Sequence, residues 1–428
     1  MEEVKNDNLS DGKTKSGFRA AFAQVPLLGW LLGGLIAVIL EHLVGTLLAD
    51  AILLPKIPVL FGFVIMLKKP LLIPSSVFYV LLIYALPIFV VARLTRSPAN
   101  RVARGLFKIP WLSVIIHVVL IYAILHIWSD LSAYRVLILK LTMIAVILTL
   151  SLNLINGYMG EFSCSHPGFM ALGAYAASVF TLALFANDKI FGQAILPAAL
   201  GPYLFPLGLI VGGIAAALGA MVIAIPSFRT RGDYLAIISL AFLFIVKSMI
   251  ENLEFVGGPR GLSSQPNYAS LHTVFIWTVL CIWIINNFVQ STLGKALNAV
   301  RDDEMAANAM TVNTRRTKMV AFMFAAFWAG VAGGLFAHVL RYVNPSTFGI
   351  QKLAEVLAMV YFGGLNSVYG SIVGAVSLSL LGEALRPLEI FKWIIIPLML
   401  ILVMIYRPTG LIAFKEFNVR NLIKPKKV

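Results

Sequence analysis

Apolar runs of about 20 residues recur from one end of this chain to the other, and they constrain its fold more than any other feature. Each is long enough to cross a hydrocarbon core of about 30 Å as a helix, and inside lipid a helix satisfies its own backbone hydrogen bonds. The balance of residue types agrees. Of 428 residues 60% are hydrophobic and 12% charged, whereas an ordinary soluble domain is charged at about a quarter of its positions. The chain therefore reads as an all-α polytopic membrane protein of about 10–12 transmembrane helices.

Spans are expected at residues 25–45, 71–92, 109–128, 134–156, 167–184, 203–225, 233–252, 271–290, 318–340, 353–365, 368–384 and 392–406. Twelve crossings put both termini on one side. If that side is cytoplasmic, its segments carry 22 of the 34 Lys and Arg residues, the excess that marks cytoplasmic loops. Topology thus accounts for the net charge of +15, and a nucleic-acid partner is not needed.

Residues 1–24 are hydrophilic and mixed in charge, and read as a cytoplasmic arm before a retained anchor span. Glu41 and His42 interrupt that first run, and the apolar piece 57–67 reads as an interfacial or re-entrant segment. Cys164 and Cys281, the two cysteines, form no disulfide framework or metal-thiolate spacing and read as small buried residues.

Catalytic signatures are missing. Gly294-Lys295 is followed by Ala296, and Val289 stands where a nucleotide-binding loop needs its first glycine. The six histidines, His42, His117, His126, His166, His272 and His338, are scattered singly. No metal site and no cofactor of the chain's own is expected. Ion-coupled transport needs ionisable groups deep in the bilayer. Glu41 alone falls near mid-span, Glu355 and Glu383 lie near outer ends, and Lys140 and Lys247 are placed to snorkel.

Two hydrophobic segments are rich in glycine and small residues: GYMGEFSCSHPGFMALGAYAASV (157–179) and GGLNSVYGSIVGAVSLSLL (363–381). Pro167 removes a backbone donor and the glycines let backbones approach closely, so both read as broken, re-entrant or tightly crossing spans. Interrupted helices in the two halves of a transporter often line the substrate route. On that ground Gly157, Gly160, Gly168, Gly173, Gly363, Gly364 and Gly370 are candidate path residues, with small-residue packing as the plainer alternative. Arg229, Arg231 and Gly232 form a basic turn before Asp233, a candidate helix cap, and FVGGPRGLSS (255–264) is a turn cluster on the outer side.

The stretch RDDEMAANAMTVNTRRTK (301–318) is far longer than a turn between spans requires. Asp302 or Asp303 can cap a short helix, while Arg315, Arg316 and Lys318 return the chain to the inner membrane surface. Met305, Ala306, Ala309 and Met310 share one narrow face, suited to a groove on a partner.

In order, LNLINGYMGEFSCSHPGFMALGAYAA, RTRGDYLAIISLAF, GGPRGLSS, LGKALNAVRDDEMAANAMTVNTRRTKMVAF, AGVAGGLFA, FGGLNSVYGSIVGA and YRPTGLI resemble the permease subunits of high-affinity branched-chain amino-acid ABC transporters, the larger permease type above all. The resemblance covers about residues 134–412. It divides the chain into the arm 1–24, an accessory transmembrane region 25–128, a permease core 129–412 and a basic cytoplasmic tail 413–428. It implies a multi-pass protein of a bacterial inner membrane, working with a second homologous permease, a periplasmic binding protein and two cytoplasmic ATPases that bind the ATP and Mg.

By resemblance, Gly294, Arg301, Glu304, Ala306, Ala307 and Asn313 belong to a cytoplasmic coupling segment, and Gly257, Gly258 and Gly261 to an outer loop where Arg260 can meet the binding protein. Thr311 stands where a glycine is usual, and FSCSHPGF departs from a more Gly-rich version. The cargo implied is a branched-chain or other neutral aliphatic amino acid. The alternatives are the same machine for urea or short amides, and a self-sufficient ion-coupled transporter using Glu41 or Glu355.

Overall fold

The computed structural model describes residues 24–54, 69–186, 191–228, 234–388, 391–414 and 417–426. The N-terminal arm up to residue 23, the apolar piece 57–67, and Arg229, Arg231, Gly232 and Asp233 lie outside the described residues. Helix dominates, as expected. Among the described residues nine helices are long and apolar enough to cross a membrane. They are α1 (Leu27–Ala51), α2 (Pro70–Leu94), α4 (Pro110–Asp130), α5 (Ala133–Met159), α6 (His166–Phe185), α7 (Ala198–Ser227), α8 (Leu235–Asn252), α9 (Leu271–Gln290) and α12 (Thr314–Leu340). Each overlaps one expected span. The short helices α3 (Arg96–Phe107), α10 (Thr292–Asp302) and α11 (Glu304–Ala309) lie between them in sequence.

The last three expected spans are shorter than the rest. Helices α13 (Ile350–Gly363), α14 (Val368–Ala384) and α15 (Lys392–Tyr406) have 14, 17 and 15 residues, or about 21, 26 and 22 Å at 1.5 Å per residue. None alone covers a core of about 30 Å, and the Gly-rich segment 363–381 runs from the last residue of α13 through most of α14.

The chain divides into two compact units, one of residues 1–135 and 418–428, the other of residues 136–417. In the first, Asn100 on α3 donates to the Gln24 carbonyl (3.0 Å) and accepts from the Lys426 backbone N–H (3.0 Å), so the last described residues pack on the first helices. The second unit is built on α6, α7 and α12. Their crossing is close because Gly173, Gly212 and Gly330 face one another: a β-carbon on Gly173 would run into the Gly330 backbone, and one on Gly330 into the Gly212 carbonyl. Without a hydrophobic drive between helices in lipid, such close packing is the main cohesion. Trp328 and Phe322 on α12 and Phe169 on α6 fill the space around it, all buried.

Two short strands, β1 (Leu262–Ser263) and β2 (Tyr342–Val343), pair antiparallel with Leu262 opposite Val343. They close the end of the second unit opposite α10 and α11.

Candidate functional site

The segment 291–318 is assembled from local signals. Ser291 caps α10 by accepting from the Gly294 N–H, and Gly294 is buried in the first turn of α10, where a β-carbon would collide with the Val289 and Phe288 carbonyls. Asp303 caps α11, its Oδ1 accepting from the Met305 and Ala306 N–H groups at 2.9 Å each. Asp302 instead pairs with Arg301. Asn313 caps α12 by accepting from the Arg316 N–H at 3.0 Å. Helix α11 ends by turning left-handed: Thr311 has φ +69°, and the Val312 N–H reaches back to the Ala307 carbonyl at 3.1 Å. This is the C-terminal turn for which glycine is the usual residue, which explains the place of Thr311 in the sequence pattern.

Met305 and Met310 are exposed at 80% and 77%, and Ala306 and Ala309 are exposed beside them. Ala307 is buried, so it belongs to the face that packs on its own chain and not to the exposed one. Lys318 is likewise not a surface cation. Its Nζ lies between Glu161 Oε1 (2.7 Å) and Glu304 Oε2 (2.8 Å), tying α11 to the segment that follows α5. Arg315 and Arg316 are exposed.

Arg301 makes a second tie. Its Nη1 donates to the Gly157 carbonyl (3.4 Å), its guanidinium lies 5.6 Å from the Phe414 ring centroid, and its aliphatic stem fills the space where Gly160 would otherwise carry a β-carbon. Here α5 widens into a π-helical turn over Leu154–Met159 and ends at Gly160, which has φ +75°. Within the segment 157–179, read as broken or tightly crossing, the chain does break at Gly160, and Arg301 is seated on that break.

One turn before the break, Asn153 is fully buried and anchors the start of α14. Its Nδ2 donates to Ser371 Oγ (2.7 Å) and the Ser367 carbonyl (3.1 Å), and its Oδ1 accepts from the Asn366 N–H (3.2 Å). Gly157 leaves room for this contact, and Gly363 and Gly370 let α13 and α14 touch backbone to backbone. Gly364, with φ +126°, lies against Ile412, whose N–H donates to the Gly363 carbonyl. Of the other candidate path residues, Gly168 on α6 packs against the Phe242 ring and Gly173 belongs to the α6–α7–α12 crossing. All but the exposed Gly160 are buried in helix contacts.

At the opposite end, Gly257, Gly258 and Gly261 have φ +86°, +52° and +78°, and the loop they shape is pinned by β1–β2 pairing and by Tyr342 Oη donating to the Arg260 carbonyl (2.8 Å). The Arg260 side chain is exposed.

The groups that an ion-coupled mechanism would need are otherwise engaged. Glu41 is fully buried in the first unit, where Arg135 Nη2 meets its Oε1 at 2.8 Å and Tyr79 and Tyr84 donate to the carboxylate. Glu355 is exposed and pairs with Lys352 at 3.0 Å, and Lys247 pairs with Glu251. Both cysteines are buried. Burial pushes the Cys164 thiol up from its ordinary range, with a Ser239 hydrogen bond opposing in part. Among the described residues no group of three or more His, Cys, Asp and Glu is placed to hold a metal ion.

Three site features went unread in the sequence: the Lys318 bridge, the Asn153 anchor and the Arg135 partner of Glu41. A clue existed for the last, since an acid inside an apolar run calls for a cation elsewhere.

Long apolar helices around glycine crossings, with a polar capped segment bolted to a broken span, define a polytopic α-helical membrane protein. Residues 134–405 match the family "Branched-chain amino acid transport system / permease component", and the chain belongs to that family. It is 33% identical over 310 residues to the high-affinity branched-chain amino acid transport system permease protein LivM of Escherichia coli (strain K12), covering 64% of this chain and 69% of that relative. The LivM protein of Salmonella typhimurium is 32% identical over 311 residues, with the same coverage. A probable branched-chain amino acid transport permease protein LivM of Methanocaldococcus jannaschii is 23% identical over 274 residues, 58% of this chain and 76% of the relative. No solved structure matches the chain.

Proposed function

We infer that this chain is the transmembrane permease subunit of an ATP-driven importer, moving branched-chain or other neutral aliphatic amino acids from periplasm to cytoplasm across a bacterial inner membrane. Its partners are a second homologous permease, two cytoplasmic ATPases that bind ATP and Mg, and a periplasmic binding protein. Surrounding lipid completes the assembly.

The observation that carries this reading is the α11 segment. A six-residue helix capped by Asp303 holds Met305 and Met310 in the open, where their apolar surface gains nothing until a partner covers it. The same helix is tied through Glu304–Lys318–Glu161 to the chain just after the broken end of α5, and Arg301 is seated on the break itself. Seated in a cleft of an ATPase, α11 would pass the closure of that cleft to the spans. The Gly257–Gly261 loop at the other end, with Arg260 exposed, is the docking surface for the binding protein.

Reconstitution tests the assignment. Proteoliposomes containing both permeases, the ATPases and the binding protein should accumulate leucine only when ATP is present. Accumulation that persists without the ATPases, or that follows urea in preference to leucine, would sink it.

A further inference from the structure

The second unit has a partly open cavity of about 340 Å³ between α5, α13, α14 and α15. That is the lower range of small-molecule sites, the size suited to a compact ligand. Its composition is graded. Lys352 and Glu355, in the first turn of α13, and Glu383, at the end of α14, lie at one end of their helices and share one rim. The walls below are apolar, with Ile144, Leu148, Met359 and Leu378 among them. Beneath Leu148 the cavity gives way to the Thr149–Met359 contact and then to the Asn153–Ser371 anchor.

We propose that this cavity is a binding site for a free α-amino acid with an aliphatic side chain, within the permease itself. The inference rests on the function proposed above and names where in this chain the cargo is held. The argument is one of charge and shape. An α-amino acid carries a cation and an anion on one carbon, and the rim offers one of each sign in the Lys352–Glu355 pair, while Glu383 beside them is held by Arg386 at 2.8 Å. Lys352 Nζ now lies 3.0 Å from Glu355 Oε2 and 5.6 Å from the centroid of the Phe336 ring. Glu355 is half exposed, and a pair that open is weak. An entering zwitterion would replace it with the same two charges in opposite order: its carboxylate on Lys352, its ammonium on Glu355. Its branched side chain would then fill the apolar depth. A fatty acid drawn to Lys352 would leave Glu355 without a counterpart, an amine drawn to Glu355 would leave Lys352 so, and a neutral amide would have no charge to exchange with the pair. A lipid acyl chain would have no use for the charged rim.

The probe is photo-leucine, the diazirine analogue of leucine, added with the binding protein to the complete complex in proteoliposomes. After illumination, mass spectrometry should find label on peptides containing 144–148, 359 or 378–379, and excess leucine should suppress it. Ser379→Trp, which places an indole in the cavity, should abolish this label and lower leucine uptake by about tenfold or more. Lys352→Gln, at the rim where folding is least at risk, should weaken label and uptake by about tenfold, the size of one charge-assisted hydrogen bond. The cavity is not the site if the wild-type complex takes up leucine while label stays off these peptides. It is equally lost if a diazirine lipid labels them in place of photo-leucine, or if both variants take up leucine as the wild type does. A wild-type complex that takes up no leucine at all would overturn the functional assignment, and this site with it.

Discussion

Lys318 and Glu304 are 14 residues apart and joined across 2.8 Å, and the same ammonium reaches Glu161 at 2.7 Å. One side chain thus fastens the short exposed helix to the chain leaving the broken span. Lys318 is buried, while Glu304 is half exposed, so water weakens the second contact more than the first.

Lys318→Met would leave two carboxylates facing each other without a cation. We expect a loss of about 1–3 kcal/mol of stability, and fewer leucine molecules taken up per ATP hydrolysed. Lys318→Arg, which keeps the charge, should restore most of the ratio. Parallel measurement of uptake and hydrolysis in proteoliposomes decides it; a methionine variant with an unchanged ratio would show the bridge to be structural only.

Adjacent alanines in α11 should behave differently. Ala306 is exposed and Ala307 is 5% exposed. Ala306→Glu adds a charge to the exposed face that the proposed function seats in an ATPase, and should release the ATPase while leaving the permease as heat-stable as the wild type. Ala307→Glu forces a carboxylate into the permease's own packing, at a cost of several kcal/mol unless it escapes to water, and should lower the melting temperature of the isolated permease. Melting curves and ATPase co-purification for the two variants provide the comparison, and equal behaviour would remove the two-faced account of the helix.

The contrast between these residues shows what the sequence could tell. Span positions were legible because a long apolar run is itself the physical requirement for crossing lipid, and a cap at Asp302 or Asp303 because capping is settled within three residues, with Asp303 the one that caps. That Ala307 turns inward was not legible, since a six-residue helix has no apolar stripe long enough to announce its buried face. Lys318 finds Glu161 across 157 positions, Asn153 finds Ser371 across 218 and Arg135 finds Glu41 across 94. Such pairings depend on which helices meet, and nothing local to any of these residues encodes it. The candidate path glycines show the same limit: their small size announces close packing, but not which backbone lies opposite.

Thr311 holds φ +69° at the end of α11, a conformation that costs a residue with a β-carbon about 1–2 kcal/mol and is open to glycine. Thr311→Gly should therefore stabilise the turn by about 1 kcal/mol, reduced by the greater freedom of glycine in the unfolded chain. Hydrogen exchange at the Thr311 and Val312 amides, which bond to the Asn308 and Ala307 carbonyls, is the direct measure. Protection should rise by a factor of about five; faster exchange in the variant would mean that the left-handed turn is not strained.

The buried Glu41–Arg135 pair offers a test that also separates two transport mechanisms. Both side chains are almost wholly excluded from solvent, and Tyr79, Tyr84 and the Trp128 carbonyl complete their hydrogen bonds. Removing one partner strands the other, typically at about 3–5 kcal/mol, whereas replacing both with apolar residues is often close to neutral. Glu41→Leu and Arg135→Leu should each lower the melting temperature strongly, and the double variant should recover most of the loss, though Tyr79 and Tyr84 then need new partners. Transport should follow stability: the double variant should still import leucine when ATP is supplied, because the carboxylate serves as an internal tie. If Glu41 instead carried a proton or sodium ion during transport, the double variant would fold and yet import nothing. A stable but inactive double variant would therefore return Glu41 to the transport cycle.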